Sequence, residues 1–200
     1  MDAKVRGSKV AFLCPEDEKI YETFGFQSMK NRNRIEVLGN KNKWYGVASF
    51  SRLEPETKER AAEFANAQLY ASDLDLYVKR SVEYYEILHK ERKALNGKVI
   101  VLRDGNVICG VAAYTREADM YEITEVICDS EDGQKVLESI CGYLAEAGFR
   151  KVIFSDAYFL GQVAGAGIVV KQEEKPYIML KALDQTEVTD NLNVYINGIT

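Results

Sequence analysis

The stretch YEITEVICDSEDGQKVLESICGYLAEAGFRKVIF, residues 121–154, decides the fold class. Tyr121 to Cys128 suits a strand. Val136, Leu137, Ile140, Cys141 and Leu144 then recur at helical spacing, Gly148 closes the helix, and Val152 to Phe154 resumes a strand. The order strand, helix, strand predicts a parallel pair joined by a right-handed crossover, and hence an α/β protein.

Upstream, Val99 to Leu102 and Val107 to Tyr114 flank Asp104-Gly105, a two-residue hairpin signal because both positions tolerate positive φ. Two helices are predicted before that hairpin. The first starts at Pro55 and carries Ala61, Phe64, Ala65 and Leu69 on one face. The second has a capping box at Ser72 and Asp75 and a stripe of Leu74, Val78, Val82, Tyr85, Leu88 and Leu95, and Asn96-Gly97 stops it. Trp44 to Leu53 suits a strand before the helices, and Tyr177 to Leu183 another after Lys175-Pro176.

Composition narrows the function. The chain has 200 residues, 26 basic against 31 acidic, and 46% hydrophobic, which is ordinary for a globular protein of formal charge −5. No apolar run approaches the ~20 residues of a membrane span. Lys30, Arg32, Arg34, Lys41 and Lys43 are scattered among Asn and form no stripe for a phosphate backbone, so neither nucleic acid nor membrane is expected as a partner. The first residues lack the apolar core of a secretory signal, and a cytoplasmic location is expected. Cys14, Cys109, Cys128 and Cys141 have no C-x-x-C spacing and read as reduced thiols. The one histidine, His89, reads as the solvated end of a helix, and no metal site is expected. Gly161 to Gly167 has the wrong glycine spacing for a dinucleotide loop.

Sliding the chain against itself by 142 positions pairs Lys9, Val10 and Phe12 with Lys151, Val152 and Phe154, Gly25 with Gly167, and Leu38 with Leu180. In each copy a glycine follows the strand where a helix must end in the left-handed conformation. On that reading the second copy is expected to be complete and the first to be only its closing third.

Laid over Trp44 to Asp184, the element order resembles the GNAT N-acyltransferase fold, with a mixed central sheet flanked by helices. Phe12 to Pro15 followed by Lys19-Ile-Tyr21-Glu-Thr-Phe-Gly25-Phe26 is similar to that family's strand and "Y-x-x-x-G-F" helix end. Two such units in tandem resemble the Eis-like acetyltransferases. The resemblance implies residues 1–43 as the remnant of a first unit, 44–184 as a complete unit, and 185–200 as a tail whose Leu192, Val194 and Ile196 could pair as an edge strand.

The resemblance further implies acetyl-CoA held by a glycine-rich loop after the fourth strand, a glutamate base on a central strand and a tyrosine acid. Glu125 is the candidate base, Tyr21 or Tyr158 the candidate acid, and Gly133, Gln134 and Lys135 the candidate phosphate cradle. In the complete copy the position matching Tyr21 is Val163, which can donate no proton. Asp129, Glu131 and Asp132 stand at the same helix start, where each carboxylate would meet a diphosphate charge at a cost near 2 kcal/mol at ~8 Å and a dielectric of about 20. They suit instead the free donors and dipole of an empty helix N-terminus. The favoured reading is therefore a GNAT-like domain that has lost acyl-CoA binding, expects no cofactor, and shapes an acceptor site or an oligomer, either with itself or with an upstream GNAT domain. The alternatives are an active small N-acetyltransferase moving acetyl from acetyl-CoA to a primary amine, and a protein-interaction domain that uses the apolar tail.

Overall fold

The computed structural model describes residues 10–13, 17–38, 42–72, 74, 76–118, 120–147, 151–154, 159, 169–183 and 194–195. The strands are β1 (Val10–Leu13), β2 (Gln27–Leu38), β3 (Gly46–Ser49), β4 (Leu76–Tyr77), β5 (Lys98–Asp104), β6 (Val107–Glu117), β7 (Met120–Cys128), β8 (Lys151–Phe154), β9 (Val169–Ala182) and β10 (Val194–Tyr195). The helices are α1 (Glu18–Glu22), α2 (Pro55–Ala71), α3 (Val82–Ala94) and α4 (Gly133–Glu146), with 3-10 turns at Phe50–Arg52 and Ser130–Asp132. Eight strands form one mixed sheet in the order β1-β9-β2-β8-β7-β6-β5-β3.

Alternation along the central strands builds two cores. Ile100, Leu102, Ala112, Val126 and Cys128 pack with Val136, Leu137, Ile140 and Leu144 of α4 on one face. Val99, Val101, Val111, Ala113 and Ile127 pack with Ala61, Ala65 and Leu69 of α2 and Tyr85 and Leu88 of α3 on the other. Each large apolar side chain buried this way contributes roughly 1.5–3 kcal/mol, so both faces of the sheet are needed. β7 and β8 run parallel, as the strand, helix, strand order predicts.

Three local readings shift. The second helix starts at Val82, where the Ser81 side chain accepts the Tyr84 N–H, and not at Ser72. Residues Leu76–Tyr77 before it are extended and pair in parallel with β10, so the tail's strand is used within the chain. The hairpin loop is Gly105-Asn106 because Asp104 pairs with Val107, and within that turn only Gly105 has positive φ. The helix closure at Gly148, the glycine run 161–167 and Cys14 lie outside the described residues.

The N-terminal strands join the same sheet. β2 lies between β8 and β9, and β9 lies between β1 and β2, all antiparallel. Val10 opens β1 and Gln27 opens β2; 142 positions later Val152 lies in β8 and Val169 opens β9. The four strands β1-β9-β2-β8 therefore read alike from either end.

Gly97 shows where side-chain absence is required. Asn96 takes φ +56° to end α3, and a Cβ on Gly97 would lie 1.8 Å from the Tyr114 carbonyl oxygen. Gly97→Ala is expected to cost about 3 kcal/mol or more, because backbone must move, whereas Gly105→Ala in open space costs about 1 kcal/mol; urea unfolding of the two variants checks the ranking. A chain beginning at residue 44 lacks β1 and β2 and leaves β9 without either neighbour. Its expected urea transition is broad and non-cooperative where the full chain's is sigmoidal, as followed by circular dichroism.

Candidate functional site

Glu125 is placed by a bulge. Ala113 pairs with Glu125 and Tyr114 with Ile123, so Thr124 is the extra residue, its hydroxyl donating to the Ala113 carbonyl at 3.3 Å. The bulge flips the alternation. Ile123 therefore faces α4, while Glu125 and Ile127 face α2 and α3, although period-two reading puts all three together. Among the described residues the parallel ladder with β8 ends at Ile123, next to this bulge.

The Glu125 carboxylate is fully buried beside an equally buried Arg80. Its Oε2 accepts from Arg80 Nη2 at 2.8 Å and from the Tyr84 hydroxyl at 3.2 Å. The guanidinium stacks 4.5 Å from the centroid of the Tyr84 ring and also donates to the Val78 carbonyl. Asn66 on α2 fixes the Arg80 backbone, accepting its N–H at 2.8 Å and donating to its carbonyl at 2.6 Å. Burial, and after it the Glu125 charge, raises the Tyr84 hydroxyl well above its ordinary pKa, which keeps it a donor. Glu125 thus holds its charge against an internal cation. To act on an incoming amine it would have to exchange that partner.

The other candidates lie elsewhere. Tyr21 sits on α1, which packs against β2 and β9, with its ring edge-on to Phe26 at 6.3 Å. Lys181 of β9 ties down the same corner by donating to the Phe24 carbonyl at 2.7 Å. Tyr158 and Val163 lie outside the described residues. Glu125 and Tyr21 are not brought together: Glu125 bonds Arg80 and Tyr84 on the face of α2 and α3, whereas Tyr21 lies on α1 against β2 and β9.

Gly133, Gln134 and Lys135 open α4, as the sequence predicts, and Gly133 is buried there. Asp129 accepts the Glu131 N–H at 3.0 Å and so caps the 3-10 turn. Asp132 makes no capping bond; Lys135 Nζ binds its carboxylate at 3.0 Å, and the nearby Tyr45 hydroxyl also favours its charged form. These groups, Lys135 first, lower the Asp132 pKa. Gln134 donates to Glu138 at 2.8 Å. The cation and the amide of the candidate cradle are engaged with Asp132 just before α4 and with Glu138 within it.

A strap that sequence reasoning missed lies along α4. Trp44 and Tyr45 donate their backbone N–H groups to the buried Ser139 hydroxyl at 3.0 and 3.1 Å, and the Trp44 indole donates to Glu138 at 2.6 Å. A Cβ on Gly142 would lie 2.7 Å from the Asn42 carbonyl. The signal was a serine inside an apolar stripe. Arg80 and Asn66 carried no comparable signal, being an ordinary arginine after a lysine and an asparagine on a polar helix.

No protein-family model matches the sequence, and no curated protein matches it. Solved structures do share its fold. A GCN5-related N-acetyltransferase from Kribbella flavida superposes with TM-score 0.61 and 18% identity over 91% of this chain and 45% of that one. A conserved protein of unknown function from Enterococcus faecalis, described as a probable N-acyltransferase, gives TM-score 0.65 at 12% identity, covering 89% of this chain and 46% of that one. Eis1 from Mycobacterium abscessus gives 0.53 at 14%, covering 90% and 48%. The fold is the GNAT acyl-CoA N-acyltransferase fold, and the chain spans under half the length of these three proteins. Among the described residues, no helix is long and apolar enough to cross a membrane.

Removing one partner of the internal ion pair isolates a buried charge. Glu125→Gln is expected to destabilise the fold by about 3–5 kcal/mol, and replacing both partners, Arg80→Met with Glu125→Leu, to recover most of that loss. Urea unfolding of the single and double variants measures the difference.

Proposed function

We propose that this chain is a GNAT-like module that does not bind acyl-CoA through residues 129–135 and forms the closing portion of an Eis-like tandem GNAT protein in the cytoplasm. Its role is to shape an acceptor site or an oligomer for a further GNAT-like unit. The observation that carries the reading is the start of α4. Asp129, Glu131 and Asp132 cluster there, and the nearby ammonium of Lys135 is held by Asp132 at 3.0 Å. A diphosphate would have to displace Asp132 from Lys135 and then lie among three carboxylates, so these residues do not fit it.

Two further observations support the reading. The Glu125 carboxylate is neutralised by Arg80 within the chain. The 142-residue offset between β1-β2 and β8-β9 supports duplication, with residues 1–43 as the end of a first unit whose strands interleave with those of residues 44–184.

Thermal unfolding with and without acetyl-CoA tests this. A ligand at 100 times its dissociation constant stabilises a fold by about 2.7 kcal/mol. The expected result is an unchanged melting temperature at millimolar acetyl-CoA. A concentration-dependent rise that Lys135→Ala abolishes would make the chain an acyl-CoA-binding acetyltransferase instead.

A further inference from the structure

We propose that the cleft between α2, α3 and the 3-10 turn Phe50–Arg52 binds a small phosphate monoester. The cleft is open to solvent, holds about 340 Å³, and is lined by Lys58, Glu86, His89, Lys90, Lys93 and Ser51 beside Phe50. That volume is at the lower end of small-molecule sites. Three ammonium groups meet one carboxylate there, leaving an excess of two positive charges in a chain whose net charge is −5. A phosphate monoester carries about −1.5 to −2 charge at neutral pH and offers several strong acceptors, which matches that excess.

The lining is organised by the fold. Residues 86, 89, 90 and 93 recur at helical spacing on α3, and Lys58 comes across from α2 to bind Glu86 at 2.9 Å. His89 Nδ1 accepts the Val99 N–H at 3.2 Å, so a neutral ring carries its proton on Nε2 and can donate from the half-buried wall of the cleft. Burial first, and then Lys93, Lys98 and Lys58, keep this ring below the usual histidine pKa. The cleft belongs to the sheet face opposite α4, so its ligand is independent of acyl-CoA binding at residues 129–135.

The experiment is an amide chemical-shift titration of the full chain with glycerol 3-phosphate, run beside glycerol and beside sodium chloride at matched ionic strength. The proposal expects saturable shifts at the Val99 and Ser51 amides with the phosphate ester alone. It also expects affinity at least about tenfold weaker in Lys90→Ala/Lys93→Ala, two exposed positions whose removal leaves the core intact. Shifts that do not saturate, that sodium chloride reproduces, or that the double variant leaves unchanged would overturn it.

Discussion

A carboxylate on a central strand, closed off from water, is the constraint around which one face of the sheet is arranged. Desolvating such a charge costs several kcal/mol, and the cost is offset only when a counter-ion and further donors are held in place. Arg80 and Tyr84 supply those donors to Glu125. Arg80 can be a counter-ion because Asn66 fixes its backbone from α2, so a helix, the segment leading into the next helix and a strand are joined through one buried pair. Such pairs add little net stability compared with apolar replacements, but they restrict which arrangement the chain can adopt. Here the restriction falls on the bulge at Thr124, which alone turns Glu125 toward α2 and α3.

The opposite face is organised by the chain leading into the sheet. Ser139 receives two backbone N–H groups from the strap at Trp44 and Tyr45, and Gly142 leaves room for the Asn42 carbonyl. The strap also brings Tyr45 beside the start of α4, where its hydroxyl favours the charged form of Asp132. The helix start is thus completed by side chains of the protein itself: Asp129, Asp132, Lys135 and Gln134 all have internal partners.

Much of the architecture was legible because it follows from periodicity. The helix at Pro55, the hairpin, and the parallel crossover over 121–154 rest on patterns of period 3.6 or 2 that the core enforces. The fold resemblance was legible for the same reason. Interleaving of β2 between β8 and β9 was not, since a strand's neighbours depend on distant pairing that no local pattern encodes. Period-two alternation alone would place Ile123 on the face of Glu125, but a bulge adds one residue without any mark in the letters, and everything beyond it changes sides. Ser72 and Asp75 imitate a helix start, yet Ser81 caps it: tertiary pairing of Leu76–Tyr77 with β10 overrides the local signal. The candidate base was found from its strand position, whereas its buried partner Arg80 lies 45 residues away and only the folded chain reveals it.

Charge placement along α2, α3 and α4 separates what helix physics requires from what it does not. Lysine and arginine in the last turn of α3 complement the negative end of its dipole, and carboxylates at the start of α4 complement a positive end. The dipole is consistent with Lys93 in the last turn of α3, and Asp129 caps the 3-10 turn that leads into α4. Neither effect explains Lys58, which lies in the first turns of α2 near the positive end of that helix, where an ammonium is disfavoured. Its position is set instead by Glu86 and by the Phe50 ring, whose centroid is 5.6 Å from the ammonium. A cation placed against its own helix dipole and toward further lysines requires anionic company, and Glu86 supplies one charge of it.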